Sequence, residues 1–336
     1  MQHLPIRIRP GLTRRQLLRA SAMGSTLALL GCDGTMAVGG SFLQPWDEHL
    51  GWSRERWGQS LSGMRELGCE EVFLQWVGLE GEPQTTWDAR APMVQMLLDQ
   101  AEELGMGVHL GLPYNEAWWK VIHQPDLDRI ADFLRATGAH GASYMRSVSW
   151  SGHAAFRGWY IPYELEQYHW GSAARIAMLV PWLKGLSDVA IATSGREPSV
   201  STYSSEMESG ELLAQVWSVL LDHVVVRPML QDGVGVHGIA NYERLEPLHR
   251  MLLRRGTRFD LIVEVFERLP DAANMPGEFR ARPASFERLQ AQWGIAREYG
   301  ARRIVAYALD PWVTGPSEES ARLRSAWRAA MPQPKG

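Results

Sequence analysis

Cysteine is nearly missing from this chain, with two copies in 336 residues, so no disulfide framework can stand in for a hydrophobic core. Cys32 falls in a leader-like segment. That leaves Cys69 alone at the start of an apolar stretch, with no histidine near it in sequence, and it is expected as a small buried hydrophobe. The apolar run of that leader, Ala20 to Leu30, is also short: about a dozen residues, too few for a stable spanning helix. Charge is sparse and balanced, at 21% of residues and a net −4, which excludes a basic nucleic-acid surface. The ten histidines form neither H-x-H nor H-E-x-x-H, so no zinc site is expected, nor any other cofactor. Gly233, Gly235 and Gly238 spell G-x-G-x-x-G, but no acidic ribose partner follows at the required distance, so the segment reads as a loop. No repeat, low-complexity tract or interdomain linker interrupts the chain after its first residues, and a monomer is expected.

What the chain does have is apolar bulk, 45% of residues, and 15 tryptophans. A buried tryptophan wants a partner for its N–H. Roughly half of these rings are therefore expected in the core and the rest in a groove, where a flat apolar face can stack on a sugar ring. The N-terminus reads as an export leader. Arg14-Arg15 sits in a charged stretch before the Ala20–Leu30 run, the pattern of a twin-arginine signal. Leu29-Leu30-Gly31-Cys32 then resembles a lipoprotein box that would leave a lipid on Cys32 and tie the protein to a membrane in the cell envelope or periplasm. The expected organisation is a signal peptide over 1–31, a short linker over 32–40 and one domain over 41–332.

That domain alternates short apolar runs with longer periodic ones. The runs Ser41–Trp46, Glu71–Trp76, Gly107–Leu112, Gly158–Tyr163, Val189–Ser194, Val224–Leu230, Leu261–Phe266 and Arg303–Leu309 predict strands buried on both faces. Amphipathic stretches between them predict helices, the first capped by Ser53. Strict alternation of eight such units without a phosphate-binding glycine loop predicts a (β/α)8 barrel.

Barrel active sites lie at the C-terminal ends of the strands. Those ends supply Gln44, Gln75, Asn115, Glu164, Ser194, Gln231 with Asp232, Glu264 and Asp310, accompanied by Trp46, Trp76, Tyr114, Trp118, Trp119, Tyr163, Trp170, Phe266 and Trp312. Amides and carboxylates among aromatic rings suit a hydroxyl-rich ligand, not a phosphate. Glu264 stands inside the apolar strand Leu261–Phe266, where a carboxylate is costly unless it is paired or functional. Glycoside cleavage needs two carboxylates flanking one bond, and Glu164 and Glu264 are the candidates. Gln44, Trp46, Gln75, Trp76, Asn115, Tyr163, Gln231, Asp232, Asp310 and Trp312 are expected to bind substrate.

The motifs Phe42-Leu43-Gln44-Pro45-Trp46, Phe73-Leu74-Gln75-Trp76, Gly158-Trp159-Tyr160-Ile161-Pro162-Tyr163-Glu164, Gln231-Asp232-Gly233-Val234-Gly235 and Glu264-Val265-Phe266-Glu267 resemble those of a bacterial family catalogued as domain of unknown function 4434. The resemblance spans almost the whole chain after the leader and implies a glycosidase-like barrel. The positions of Glu164 and Glu264 also resemble those of clan A glycosidases, with an acid/base after strand four and a nucleophile at strand seven. Those enzymes usually carry Asn before the strand-four Glu; here it is Tyr163. The expectation is an exported glycoside hydrolase acting on a polysaccharide or oligosaccharide by a retaining, two-carboxylate mechanism. The alternative is a carbohydrate-binding lipoprotein without catalysis that serves exopolysaccharide assembly.

Overall fold

The computed structural model describes residues 36–80, 87–204, 209–269 and 280–331. The expected leader, with Arg14, Arg15 and Cys32, lies outside the described residues. The barrel strands are β1 (Gly40–Leu43), β2 (Glu71–Leu74), β3 (Gly107–Gly111), β4 (Phe156–Leu165), β5 (Ser199–Thr202), β6 (Arg227–Gln231), β7 (Asp260–Glu264) and β10 (Ile304–Tyr307). All neighbours are parallel, and β1 closes the ring against β10. Between β7 and β10 a small antiparallel hairpin intervenes, β8 (Phe266–Arg268) with β9 (Ala281–Pro283).

The outer helices are α1 (Arg54–Arg65), α2 (Trp87–Glu103), α3 (Leu127–Ser147), α4 (Ala173–Ser194), α5 (Glu211–His223), α6 (Asn241–Arg255), α7 (Phe286–Glu298) and α8 (Glu318–Ala329). Side-chain caps start five of them. Ser53, Asp126, Ser172, Ser285 and Ser317 each accept a backbone N–H from the first turn, satisfying donors the helix itself leaves orphaned.

Two packing layers follow from the period of two along each strand. Leu74, Trp159, Ile161, Leu230, Leu261 and Val263 face the helices. Phe42, Phe73, Tyr160, Met229, Ile262 and Val305 fill the barrel interior. Nine tryptophans are buried, among them Trp118, which stacks on Trp170 at 5.6 Å and on Trp182 of α4 at 5.8 Å.

Two expectations are corrected here. Val189–Ser194 is the last part of α4, and the fifth strand is Ser199-Val200-Ser201-Thr202. Leu179, Leu183, Leu186, Val189 and Ala190 are buried at helical spacing, so the apolar run belongs to a helix face. The true strand looks polar because Ser199 and Ser201 fall on its inner side. Second, the linker over 32–40 is part of the folded unit from Met36 onward. Met36 and Val38 are buried, Trp327 Nε1 donates to the Met36 carbonyl at 2.7 Å, and β1 starts at Gly40.

The interior is itself stacked. At the N-terminal base, Arg303 Nη2 meets Asp260 at 3.1 Å, Arg303 also bonds Glu71, and His109 Nε2 lies 2.6 Å from Glu71. Above this charged plug comes the apolar layer. At the C-terminal mouth the interior turns polar again.

Candidate active site

Alternation decides which residues reach the mouth. Ile262 points inward, so Glu264 two residues on does too. Tyr160 likewise sets Glu164 inward, and Met229 sets Gln231 inward. Glu264 ends β7 at 1% exposure, while Glu164 near the end of β4 remains partly open.

The segment after β6 is shaped around Glu264. Gln231 Nε2 donates to Glu264 Oε1 at 2.7 Å, and the Gly235 N–H donates to Oε2 at 2.7 Å. A Cβ on residue 235 would come within 2.8 Å of Glu264 Oε2, so only glycine lets the main chain approach this closely. Gly233 has φ +63° and makes the turn between strand and the short helix Val234–His237. The G-x-G-x-x-G match thus holds a carboxylate through the Gly235 N–H.

Tyr307, the last residue of β10, bridges the other side. Its hydroxyl donates to Gln75 Oε1 at 3.1 Å and accepts from Gln44 Nε2 at 2.8 Å. Burial holds this phenol protonated, and the charges of Glu164 and Glu264 both push in the same direction, so both carboxyls lie within its electrostatic reach. Aromatic rings follow the same strand ends. Trp76 stacks on Tyr114 at 5.7 Å, Trp46 meets Trp76 edge-on at 6.1 Å, and Phe266 lies 5.8 Å from Trp312. Trp46 is 52% exposed.

No described cation pairs with either carboxylate. Arg288 donates to the Glu264 main-chain carbonyl at 2.8 Å, not to its side chain. Loss of solvation pushes Glu164 up to about 7 from 4.5. Glu264 is raised well above the carboxylate range by burial and by the charge of Asp232, against the opposing pull of its two N–H donors. Among the described residues no cluster of three or more His, Cys, Asp or Glu could hold a metal.

Four residues expected to contact substrate are placed otherwise. Tyr163 is 1% exposed, faces outward between Trp118 and Trp182, and accepts the Asn115 N–H at 3.1 Å. Asp232 is fully buried on the outer side of β6. Its oxygens accept from Val234 N, Glu264 N, Tyr242 Oη and Gln292 Nε2, which leaves them no room for a sugar hydroxyl. Asn115 organises a turn, donating to Glu80 at 3.0 Å and accepting from Ala117 N at 2.9 Å. Asp310 sits 3.9 Å from His49 and lines a groove along α1 with Trp52 and Arg56. Tyr307 was not singled out from the sequence, although its inward parity with Val305 marks it. Cys69 is buried and its thiol is pushed up to about 12, which makes it inert.

The fold defines a closed (β/α)8 barrel, with the carboxyls of Glu164 and Glu264 at its C-terminal end. Residues 38–320 match the family model described as Domain of unknown function (DUF4434), and the chain belongs to that family. No curated protein matches the sequence. Among solved structures, the chain is similar to a candidate alpha-L-fucosidase from Bacteroides thetaiotaomicron VPI-5482, with TM-score 0.67, 16% identity, and coverage of 97% of this chain and 99% of the other. It is similar to a beta-galactosidase from Marinomonas ef1, with TM-score 0.57, 12% identity, and coverage of 87% and 58%. A GH99 endo-alpha-mannosidase from Bacteroides thetaiotaomicron gives TM-score 0.51, 12% identity, and coverage of 88% and 97%. At these identities the likeness establishes the fold.

Proposed function

We propose that the protein is a glycoside hydrolase acting on a polysaccharide or oligosaccharide by a retaining mechanism. The observation that carries this reading is the pair Glu164 and Glu264, both directed into one barrel mouth from β4 and β7 and neither matched by a cation among the described residues. Glu164 gives its proton to the leaving oxygen as the C1–O bond breaks, while Glu264 bonds C1. Water then attacks C1, loses its proton to Glu164 and frees Glu264. The productive state has the proton on Glu164. The donors Gln231 and Gly235 favour that arrangement because they stabilise an ionised Glu264, while burial and the charge of Asp232 work against it. Gln44, Gln75 and Tyr307 form a hydroxyl-binding edge, and Gln231 Oε1 and Trp76 Nε1 have no partner among the described residues. Trp46, Trp76 and Trp312 supply stacking faces.

The test is a polysaccharide screen read by new reducing ends, with wild type beside Glu264→Gln. Hydrolysis that is lost in the variant, with retained configuration in the first product by NMR, supports the reading. Hydrolysis that survives Glu264→Gln removes it.

One observation favours a second reading. Glu264 is 1% exposed with both oxygens engaged, an arrangement that also suits a carbohydrate-binding lipoprotein serving exopolysaccharide assembly. Oligosaccharide binding without turnover across the screen would favour it.

The export reading belongs with either function. Arg14-Arg15 would send the folded protein through the twin-arginine route, and Cys32 would carry the lipid. Replacing both arginines by Lys should block export. Cys32→Ser should release the protein from membranes, and unchanged membrane fractionation would remove the anchor.

A further inference from the structure

Beside the mouth lies a cavity of about 420 Å³ that none of the residues selected from the sequence as ligand contacts explains, apart from Glu164 itself. Trp119, His123, Glu166, Tyr168, His169 and Tyr203 line it. Glu164 is in its wall and Glu264 is not.

The two histidines are fixed in a related way. His123 Nδ1 bonds the Trp119 carbonyl, and His169 Nδ1 bonds Glu166 Oε1 at 2.5 Å. Glu166 also accepts the N–H groups of Tyr168 and His169, at the start of the helix Gln167–Trp170. A carbonyl and a carboxylate that already takes two N–H donors can only accept, so each Nδ1 carries its hydrogen. In the neutral imidazole each Nε2 is then an acceptor. The two rings lie 4.2 Å apart, tilted by 55°. Trp119 meets Tyr203 edge-on at 5.1 Å and offers an apolar face beside them. Among the described residues the lining contains Glu164 and Glu166 and no Lys or Arg.

We infer that this cavity is the subsite for the leaving-group side of the substrate, and that it takes a neutral sugar through its hydroxyls and rejects a uronate. The leaving-group assignment rests on the hydrolase reading, because the acid must face the oxygen that departs and only Glu164 of the pair opens here. The ligand class rests on the cavity alone. Adjacent hydroxyls can donate to two imidazole acceptors, whereas an ionised sugar carboxylate has no hydrogen to give and would stand beside Glu166 with no Lys or Arg in the described lining.

Side-chain NMR of the histidines tests this with the full-length protein. His123→Gln and His169→Gln assign the two signals. Glucose, mannose, galactose and xylose are titrated beside glucuronate and galacturonate, on wild type and on Glu264→Gln. The expected result is that at least one neutral sugar shifts both signals in both proteins, that neither uronate does, and that Trp119→Ala weakens the response. Uronates shifting the signals as strongly as neutral sugars, or no sugar shifting them, overturns the inference. Loss of hydrolysis has no bearing on this readout, so a failed hydrolase reading and a failed subsite are told apart.

Discussion

The two ends of the barrel interior both bury carboxylates, and they treat them in opposite ways. At the base, burial works against ionising Glu71, but the hydrogen bond and charge of His109 and the Arg303 guanidinium outweigh it and hold Glu71 at about 2. Burial drives His109 itself toward the neutral form, so Arg303 is the lasting cation of that cluster. At the mouth the same burial meets no cation. Glu164 rises to about 7 and Glu264 is raised strongly as well. Burial of an acid is therefore no mark of a site by itself. Burial without a counter-ion, in a place a ligand can enter, is the stronger mark.

The sharpest way to separate the two ends is substitution. Glu264→Gln should lower turnover by roughly 10⁴-fold or more if it is the nucleophile. It should leave the thermal midpoint unchanged or higher, because an amide carries no charge for burial to penalise. Glu164→Gln should cost roughly 10²–10⁴-fold as a lost general acid. A Glu264→Gln protein that unfolds easily would mean that the mouth is built like the base. Arg303→Leu at the base should have the inverse profile. It strands Glu71 and Asp260 and should destabilise by roughly 3–5 kcal/mol in urea unfolding, without changing how the mouth titrates.

Stability against pH distinguishes the ends with a definite sign. Glu164 and Glu264 are raised, so the folded protein binds more protons than the unfolded chain above pH 4.5. Their contribution is fully present below that pH and is lost as pH rises through about 7 and beyond. Glu71 is lowered, and its contribution is present above 4.5 and is lost as pH falls toward about 2. Thermal midpoints should thus decline between pH 4.5 and about 8 in wild type and decline less in Glu264→Gln. A midpoint that does not respond to pH there would contradict the mouth's part of the comparison. The smallest expected effect is His109→Gln, a neutral exchange at the base that costs about 1 kcal/mol and leaves the mouth's titration alone.

Much of this was legible in the chain. Short apolar runs bounded by turns gave seven of the eight strands, and Ser53 marked the first helix start. The fifth strand was hidden because Ser199 and Ser201 line the interior and leave Val200 with no apolar pattern around it. The helix ahead of it ended in the more strand-like run. Glu164 and Glu264 stood out because a carboxylate in an apolar strand needs a reason. Strand parity was the signal left unused. It separates Gln231 from Asp232 and Glu164 from Tyr163, one inside the barrel and one against the helices, and it would have included Tyr307. The cavity beside Glu164 was out of reach, since Trp119 stands on the short helix Trp118–Ile122, His169 on the helix Gln167–Trp170 and Tyr203 just after β5, and only the closed ring brings them together.

The most direct measurement is a pH titration of the glutamate side-chain carboxyl signals by ¹³C NMR, with Glu71, Glu164 and Glu264 assigned by single Glu→Gln substitutions. It needs no substrate. The account predicts that Glu164 titrates near 7 and Glu264 also well above the usual range, while Glu71 stays ionised down to about 2. Mouth carboxyls titrating near 4.5, as ordinary surface glutamates do, would contradict it.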